Sequence, residues 1–208
     1  MYSKKPVLKN ILFSSASIAG VSPRSIELNI IPQAETALSD SYLQNLEKEI
    51  HFLWNYGPFK WEHEFAELVL NYIFSETRIG HSNNFPFKEV HIKTAQKTYR
   101  MDKFSFNIEV EITKFGLVDV LFANTQFGAY RLRVNPGHKI APHIHHVMEE
   151  KEIILSEGLL LNGQPISIGT INKWGLNVRH EYENKTEKEQ SILCIDEPPF
   201  DINDEVLV

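Results

Sequence analysis

Between residues 41 and 78 the apolar positions recur with a helical period. Leu43, Leu46, Ile50 and Leu53 form one stripe, which predicts a helix over 41–55. Ser41, with Gln44 three residues on, offers a capping box at its start, and Gly57-Pro58 ends it. A second helix is predicted over 61–78, where Phe65, Leu68, Val69, Tyr72 and Ile73 share one face and Gly80 supplies a stop. Residues 81–86 have the turn chemistry of a loop. Beyond residue 85 the period becomes two. Phe104, Phe106, Ile108, Val110 and Ile112 alternate with Ser105, Asn107, Glu109 and Glu111, the pattern of a half-buried antiparallel strand. Further strands are predicted at 117–123, 129–134, 140–146, 150–156, 158–161, 165–171, 178–184 and 190–196. Turn residues separate them, Asn162-Gly163 being a strong hairpin signal. Many short strands of this kind imply a closed barrel or a two-sheet jelly roll.

The organisation that follows is mainly β. An N-terminal extension, 1–85, carries the two helices, and a barrel occupies 86–208. The segment from Ser41 to Gly80 is shorter than the ~50 residues an independent domain usually needs. Its helices are therefore expected to pack on the barrel or on a partner subunit, with Trp54, Trp61 and Phe65 as bulky anchors.

Composition narrows the function classes. The chain has 208 residues, 42% of them hydrophobic, and a net charge of -6, which gives no support for a nucleic-acid partner. No apolar run approaches the ~18 residues needed to span a membrane. A single cysteine, Cys194, excludes an internal disulfide and a four-cysteine zinc site, and its apolar neighbours mark it as a buried small hydrophobe. Lys4, Lys5 and Lys9 ahead of Ile11-Leu12-Phe13 outline a secretory signal, but Ser14, Ser15 and Ser17 break the apolar stretch. A cytoplasmic location is the expectation.

Four of the nine histidines, His138, His143, His145 and His146, fall within nine residues. His143 and His145 are two apart, so on a strand they share a face, whereas His146 points away. Glu149, Glu150 and Glu152 follow a short turn, and a hairpin there sets a carboxylate against the imidazole pair. Two imidazoles and a carboxylate suit a divalent transition metal with open positions, and His180 on a later strand can complete the set.

Gly137, His143-Ile144-His145 and Glu150 resemble the first motif of the cupin superfamily, with its closing glycine, Gly158, one residue late. Gly169, His180 and Asn184 keep the spacing of the second motif, while Gly175 stands for its proline and Asn177 for its inner glycine. The resemblance covers about residues 100–200. It implies a cupin-type jelly-roll β-barrel holding a metal on His143, His145, Glu150 and His180. Glu149 also fits the permitted spacing but would lie on the opposite face of the strand. The implied cofactor is a divalent transition metal, iron(II) first, with manganese, nickel, zinc and cobalt as alternatives. The resemblance also implies a homodimer.

Around that set, Glu152 shares a face with Glu150 and is a candidate general acid or base. Tyr182 shares a face with His180 and is a candidate hydrogen-bond donor to substrate. Arg131 and Arg133 share a face too, and an inward arginine would clamp a carboxylate or phosphate; the turn at Pro136-Gly137 hides which face is inside. Asn184 is expected to order backbone turns. The expected function is a metal-dependent enzyme on a small polar metabolite. Oxygenation ranks first, then sugar or sugar-phosphate isomerisation, which the stretch ending Pro198-Pro199-Phe200 resembles, then ligand binding without turnover.

Overall fold

Alternation of apolar and polar residues begins earlier in the chain than residue 85. The computed structural model describes residues 9–14, 25–32, 39–77, 87–94, 97–101 and 108–208. Two compact units divide the chain, Met1–Trp54 with Phe59–Asn107, and Asn55–Pro58 with Ile108–Val208. The first contains β1 (Lys9–Ser14), β2 (Ser25–Pro32), α1 (Asp40–Tyr56) as far as Trp54, α2 (Glu62–Thr77), β3 (Phe87–Lys93) and β4 (Thr98–Met101). These strands form one antiparallel sheet in the order β1-β2-β3-β4. Ile26, Leu28 and Ile30 are buried and alternate with Glu27 and Asn29, so the period-two signal was present here but lay outside the region read as β. Because β3 pairs back onto β2 and β4 onto β3, the boundary expected at residue 85 falls instead between Asn107 and Ile108. The loop expected at 81–86 lies outside the described residues.

Both helices form where their stripes predict, with one correction to a cap. Ser39, not Ser41, caps α1: its Oγ accepts the Tyr42 N–H at 3.1 Å. At the start of α2, Glu64 Oε2 accepts the Lys60 and Trp61 N–H groups at 2.9 and 3.0 Å. Leu46, Ile50, Leu53, Phe65, Leu68, Val69 and Ile73 are buried. Tyr72 Oη donates to Glu49 Oε2 at 2.6 Å and ties the two helices together. Phe65 meets Trp54 and Phe59 edge to face, at 4.7 and 5.2 Å. Trp61 is no anchor: it is 60% exposed. Among the described residues no helix is long and apolar enough to cross a membrane.

The second unit is a two-sheet jelly roll. Its strands are β5 (Glu109–Ile112), β6 (Gly116–Ala123), β7 (Gly128–Val134), β8 (Lys139–His145), β9 (Glu149–Ile154), β10 (Leu159–Leu161), β11 (Gln164–Pro165), β12 (Ile171–Trp174), β13 (His180–Asn184), β14 (Gln190–Glu197) and β15 (Glu205–Leu207). They form two antiparallel sheets, β11-β10-β13-β8-β15 and β12-β9-β14-β7-β6-β5. Val134, Ile140, Ile154, Leu159, Tyr182, Ile192 and Cys194 come from both sheets into one buried cluster, which identifies the inward face of each strand.

Three strands depart from the pattern reading. The strand expected at 165–171 is two short strands flanking a turn in which Gly169 has φ +79°. The C-terminal β15, which pairs with β8, was not foreseen. On β5 it is Glu109 and Glu111 that share a face with Val120 and Val118, while Ile112 is 88% exposed; at a sheet edge, alternation does not say which face is covered. The rest of the strand expected at 104–112, up to residue 107, lies outside the described residues.

Candidate metal centre

β8 and β13 are paired, and His143 stands opposite His180 in their register. The period of two puts His145 on the same face as His143, and β9 brings Glu150 to both from the other sheet. All four side chains are buried, and their donor atoms lie within 4.8 Å of one another. Ring centroids of His143 and His180 are 4.2 Å apart, those of His143 and His145 5.0 Å. Glu149, the alternative ligand, is exposed on the other face of β9. His138 and His146 are also exposed and stand apart from the cluster.

Main-chain carbonyls orient two of the imidazoles. His143 Nδ1 is 2.8 Å from the Ala141 oxygen, and His180 Nδ1 is 3.1 Å from that of Val178. A carbonyl only accepts, so both Nδ1 atoms carry hydrogen and both Nε2 atoms serve the cluster. His145 Nδ1 makes no hydrogen bond; Asp204 Oδ2 lies 3.8 Å away. Asp204 in turn accepts the N–H groups of His146, Val147 and Met148 at 2.8–2.9 Å and secures the turn between β8 and β9.

His180 Nε2 lies 3.1 Å from Glu150 Oε2. Burial works against charge on both groups. The hydrogen bond and mutual attraction outweigh it, so the imidazole is raised and the carboxyl lowered from their ordinary values. Burial lowers His145. These donors, three imidazoles and a carboxylate with the rings of His143 and His180 preset by backbone contacts, fit a divalent transition metal.

Backbone turns hold the motif in place. Asn184 donates to the Val134 and Lys188 carbonyls, each at 2.8 Å, and its Oδ1 accepts from Thr186 N–H and Oγ1–H. Asn177 has φ +63°, the left-handed region that asparagine tolerates, which explains how it stands in for the motif glycine. Gly158 has φ +107°, and a Cβ there would sit 2.5 Å from Thr186 Cγ2, so its late position in the motif still requires glycine.

Beside the ligand set, Glu152 is buried on the same face of β9. Its Oε2 accepts from Tyr182 Oη–H and from Trp174 Nε1–H. Cys194 Sγ lies 3.9 Å from its Oε1. Burial, with repulsion from Glu150, pushes the Glu152 carboxyl up to about 8. Asn172 Nδ2 donates to Tyr182 Oη at 2.9 Å. Trp174 stacks on His180 with centroids 4.7 Å apart and planes 3° from parallel. The two residues singled out from sequence as catalytic candidates are thus joined to each other inside the barrel.

Arg131 and Arg133 do not enter the barrel. Their register partners on β6 are Asp119 and Leu117, on the face opposite Val134 and the inner cluster. Arg133 Nε donates to Asp119 Oδ2 at 2.8 Å. Sequence reasoning missed Trp174, Asn172, Asp204 and above all Asp196. Asp196 pairs directly with Glu150 across β14 and β9. It is 3% exposed, its Oδ1 has no hydrogen-bond partner among the described residues, and burial with repulsion from Glu150 and Glu152 pushes its carboxyl well up. An acid closing the apolar run Ile192–Ile195 was the signal available for it.

No family model matches the chain, and no curated protein does. Among solved structures, a protein from Planctomyces limnophilus is 24% identical, over 50% of this chain and 93% of that one, with a TM-score of 0.40. A cupin-superfamily sugar phosphate isomerase from Silicibacter pomeroyi is 20% identical, over 44% and 71%, with a TM-score of 0.39. The polyketide cyclase RemF from Streptomyces resistomycificus is 17% identical, over 47% and 80%, with a TM-score of 0.40. The fold assignment for this chain rests on its own strand order and motif residues.

Proposed function

We propose that the barrel is a metal-dependent enzyme that moves a proton on a small polar metabolite, as in isomerisation or epimerisation next to a carbonyl. His143, His145, Glu150 and His180 would hold the metal, which supplies Lewis-acid polarisation of a substrate oxygen. The observation that carries the reading is Glu152, buried beside the ligand set and fixed by Tyr182 and Trp174. One oxygen of Glu152 is held by two donors, so the carboxyl is aimed rather than free to rotate. In its ionised form Glu152 takes the proton from the carbon next to the polarised carbonyl and returns it to the product carbon, so atoms and charge balance over the cycle. Tyr182 keeps that carboxyl in place and Trp174 packs the ring of His180. Val134, Ile154 and Ile192 give the interior an apolar wall that keeps water from the reacting carbon.

The test pairs metal analysis of the purified protein with NMR in deuterium oxide on a panel of hydroxy-carbonyl compounds. Expected are one divalent ion per chain and solvent deuterium at the carbon next to the carbonyl. Glu152→Gln should abolish that exchange with metal content retained. Exchange that survives in Glu152→Gln refutes the role of Glu152. Oxygenation, the first expectation from the sequence, is the second reading: the same apolar wall also suits a substrate chelated beside dioxygen. Substrate-dependent oxygen uptake by iron-loaded protein, without deuterium exchange, would establish it over proton transfer.

A further inference from the structure

We propose that the barrel selects a substrate bearing a protonated amine close to its metal-chelating oxygens, and that Asp196 is the receptor for that ammonium group. This rests on the reading of the four-residue cluster as a metal centre. Asp196 and Glu150 are direct cross-strand partners on the inward faces of β14 and β9. Such partners have Cβ atoms about 4.5–5.5 Å apart. A group bound at Asp196 is therefore a neighbour of any substrate oxygen bound next to Glu150, at the spacing of an amine one or two carbons from a chelating oxygen.

The second observation is the state of the carboxylate. Asp196 is 3% exposed, and its Oδ1 is buried without a hydrogen-bond partner among the described residues. A buried polar atom left in this condition costs free energy unless something bound satisfies it. Glu152 does not serve Asp196: its Oε2 is taken by Tyr182 and Trp174, and its Oε1 lies 3.9 Å from Cys194 Sγ. A donor would satisfy Oδ1, and an ammonium would also bring the counter-charge that a wall of three acidic side chains, Glu150, Glu152 and Asp196, lacks.

The distribution of cations argues the same way. Among the described residues, the inward positions of β7, β9, β12 and β14 carry no lysine or arginine. Arg131 and Arg133, which precede the first motif, belong to the other face of the sheet, and Arg179, beside His180, is exposed and paired with Glu181. A phosphate or carboxylate on the substrate would face Glu152 and Asp196 with only the metal to balance it. An ammonium reverses the sign of both contacts. The charge pattern thus opposes an anionic sugar phosphate as substrate and favours an amino sugar, amino alcohol or similar cation.

The test uses zinc-loaded protein and three probes that share one ring: glucosamine, glucose and glucose 6-phosphate. Zinc content is measured first, and a chain that takes up no zinc refutes the metal-centre reading whatever the sugars do. With zinc bound, calorimetry should show glucosamine binding at least ten-fold tighter than glucose and glucose 6-phosphate binding weakest. Asp196→Asn should bring glucosamine down to the affinity of glucose with zinc content unchanged. The proposal is overturned if glucosamine shows no advantage over glucose, if glucose 6-phosphate binds tightest, or if Asp196→Asn keeps the preference. Unchanged zinc in that variant separates loss of the ammonium receptor from loss of the metal centre.

Discussion

Replacing Tyr182 by phenylalanine removes one oxygen from the middle of the barrel and almost nothing else. Tyr182 is fully buried, and its Oη donates to Glu152 Oε2 and accepts from Asn172 Nδ2. The ring keeps its place among Val134, Ile154, Leu159, Ile192 and Cys194, so no large cavity forms. Glu152 keeps Trp174 as a donor but loses its second one in a fully buried setting. A lost hydrogen bond to a buried carboxyl costs about 1.5–3 kcal/mol, and the half-buried Asn172 amide adds about 0.5–1.5 kcal/mol. The expected loss is about 2–4.5 kcal/mol, which lowers the melting temperature of a chain of this size by about 4–18 °C. Differential scanning calorimetry on wild type and Tyr182→Phe at matched metal content measures it. If Glu152 also works as proposed, deuterium exchange into substrate falls in parallel while metal per chain stays constant. A melting temperature within about 1 °C of wild type would refute the buried bridge between Glu152 and Tyr182, and with it the argument that Glu152 is aimed.

Phe65→Ala should cost about 3–5 kcal/mol, because Phe65 is 1% exposed and sits edge-on to both Trp54 and Phe59. Thermal melting checks it; metal content per folded protein should be nearly unchanged, and an unaltered melting temperature would count against the packing. For the homodimer that the cupin resemblance implies, light scattering at micromolar concentration should return twice the chain mass of 24.0 kDa, and a monomer mass sinks that expectation.

Local pattern by itself determined a good deal. The stripes of Leu46, Ile50, Phe65 and Val69 marked both helices, since a helical period needs only neighbours three and four residues apart. His143 and His145 could be placed on one face for a similar reason, and the motif spacing singled out Glu150 and His180 before any contact was known. Alternation, however, states which residues share a face and leaves open which face is inside. That choice is made by pairing between distant strands, and it sends Glu150 inward and Glu149 outward, and turns Arg131 and Arg133 away from the site. Likewise Asp196 becomes part of the site only because β14 inserts between β7 and β9, more than 40 residues downstream of Glu150. The N-terminal sheet shows the same limit: Ile26, Leu28 and Ile30 carried a strand pattern, but β3 and β4 joined them through hydrogen bonds across two intervening helices. Side-chain period is a property of a segment, whereas the inside of a barrel exists only once segments far apart in the chain have closed around it.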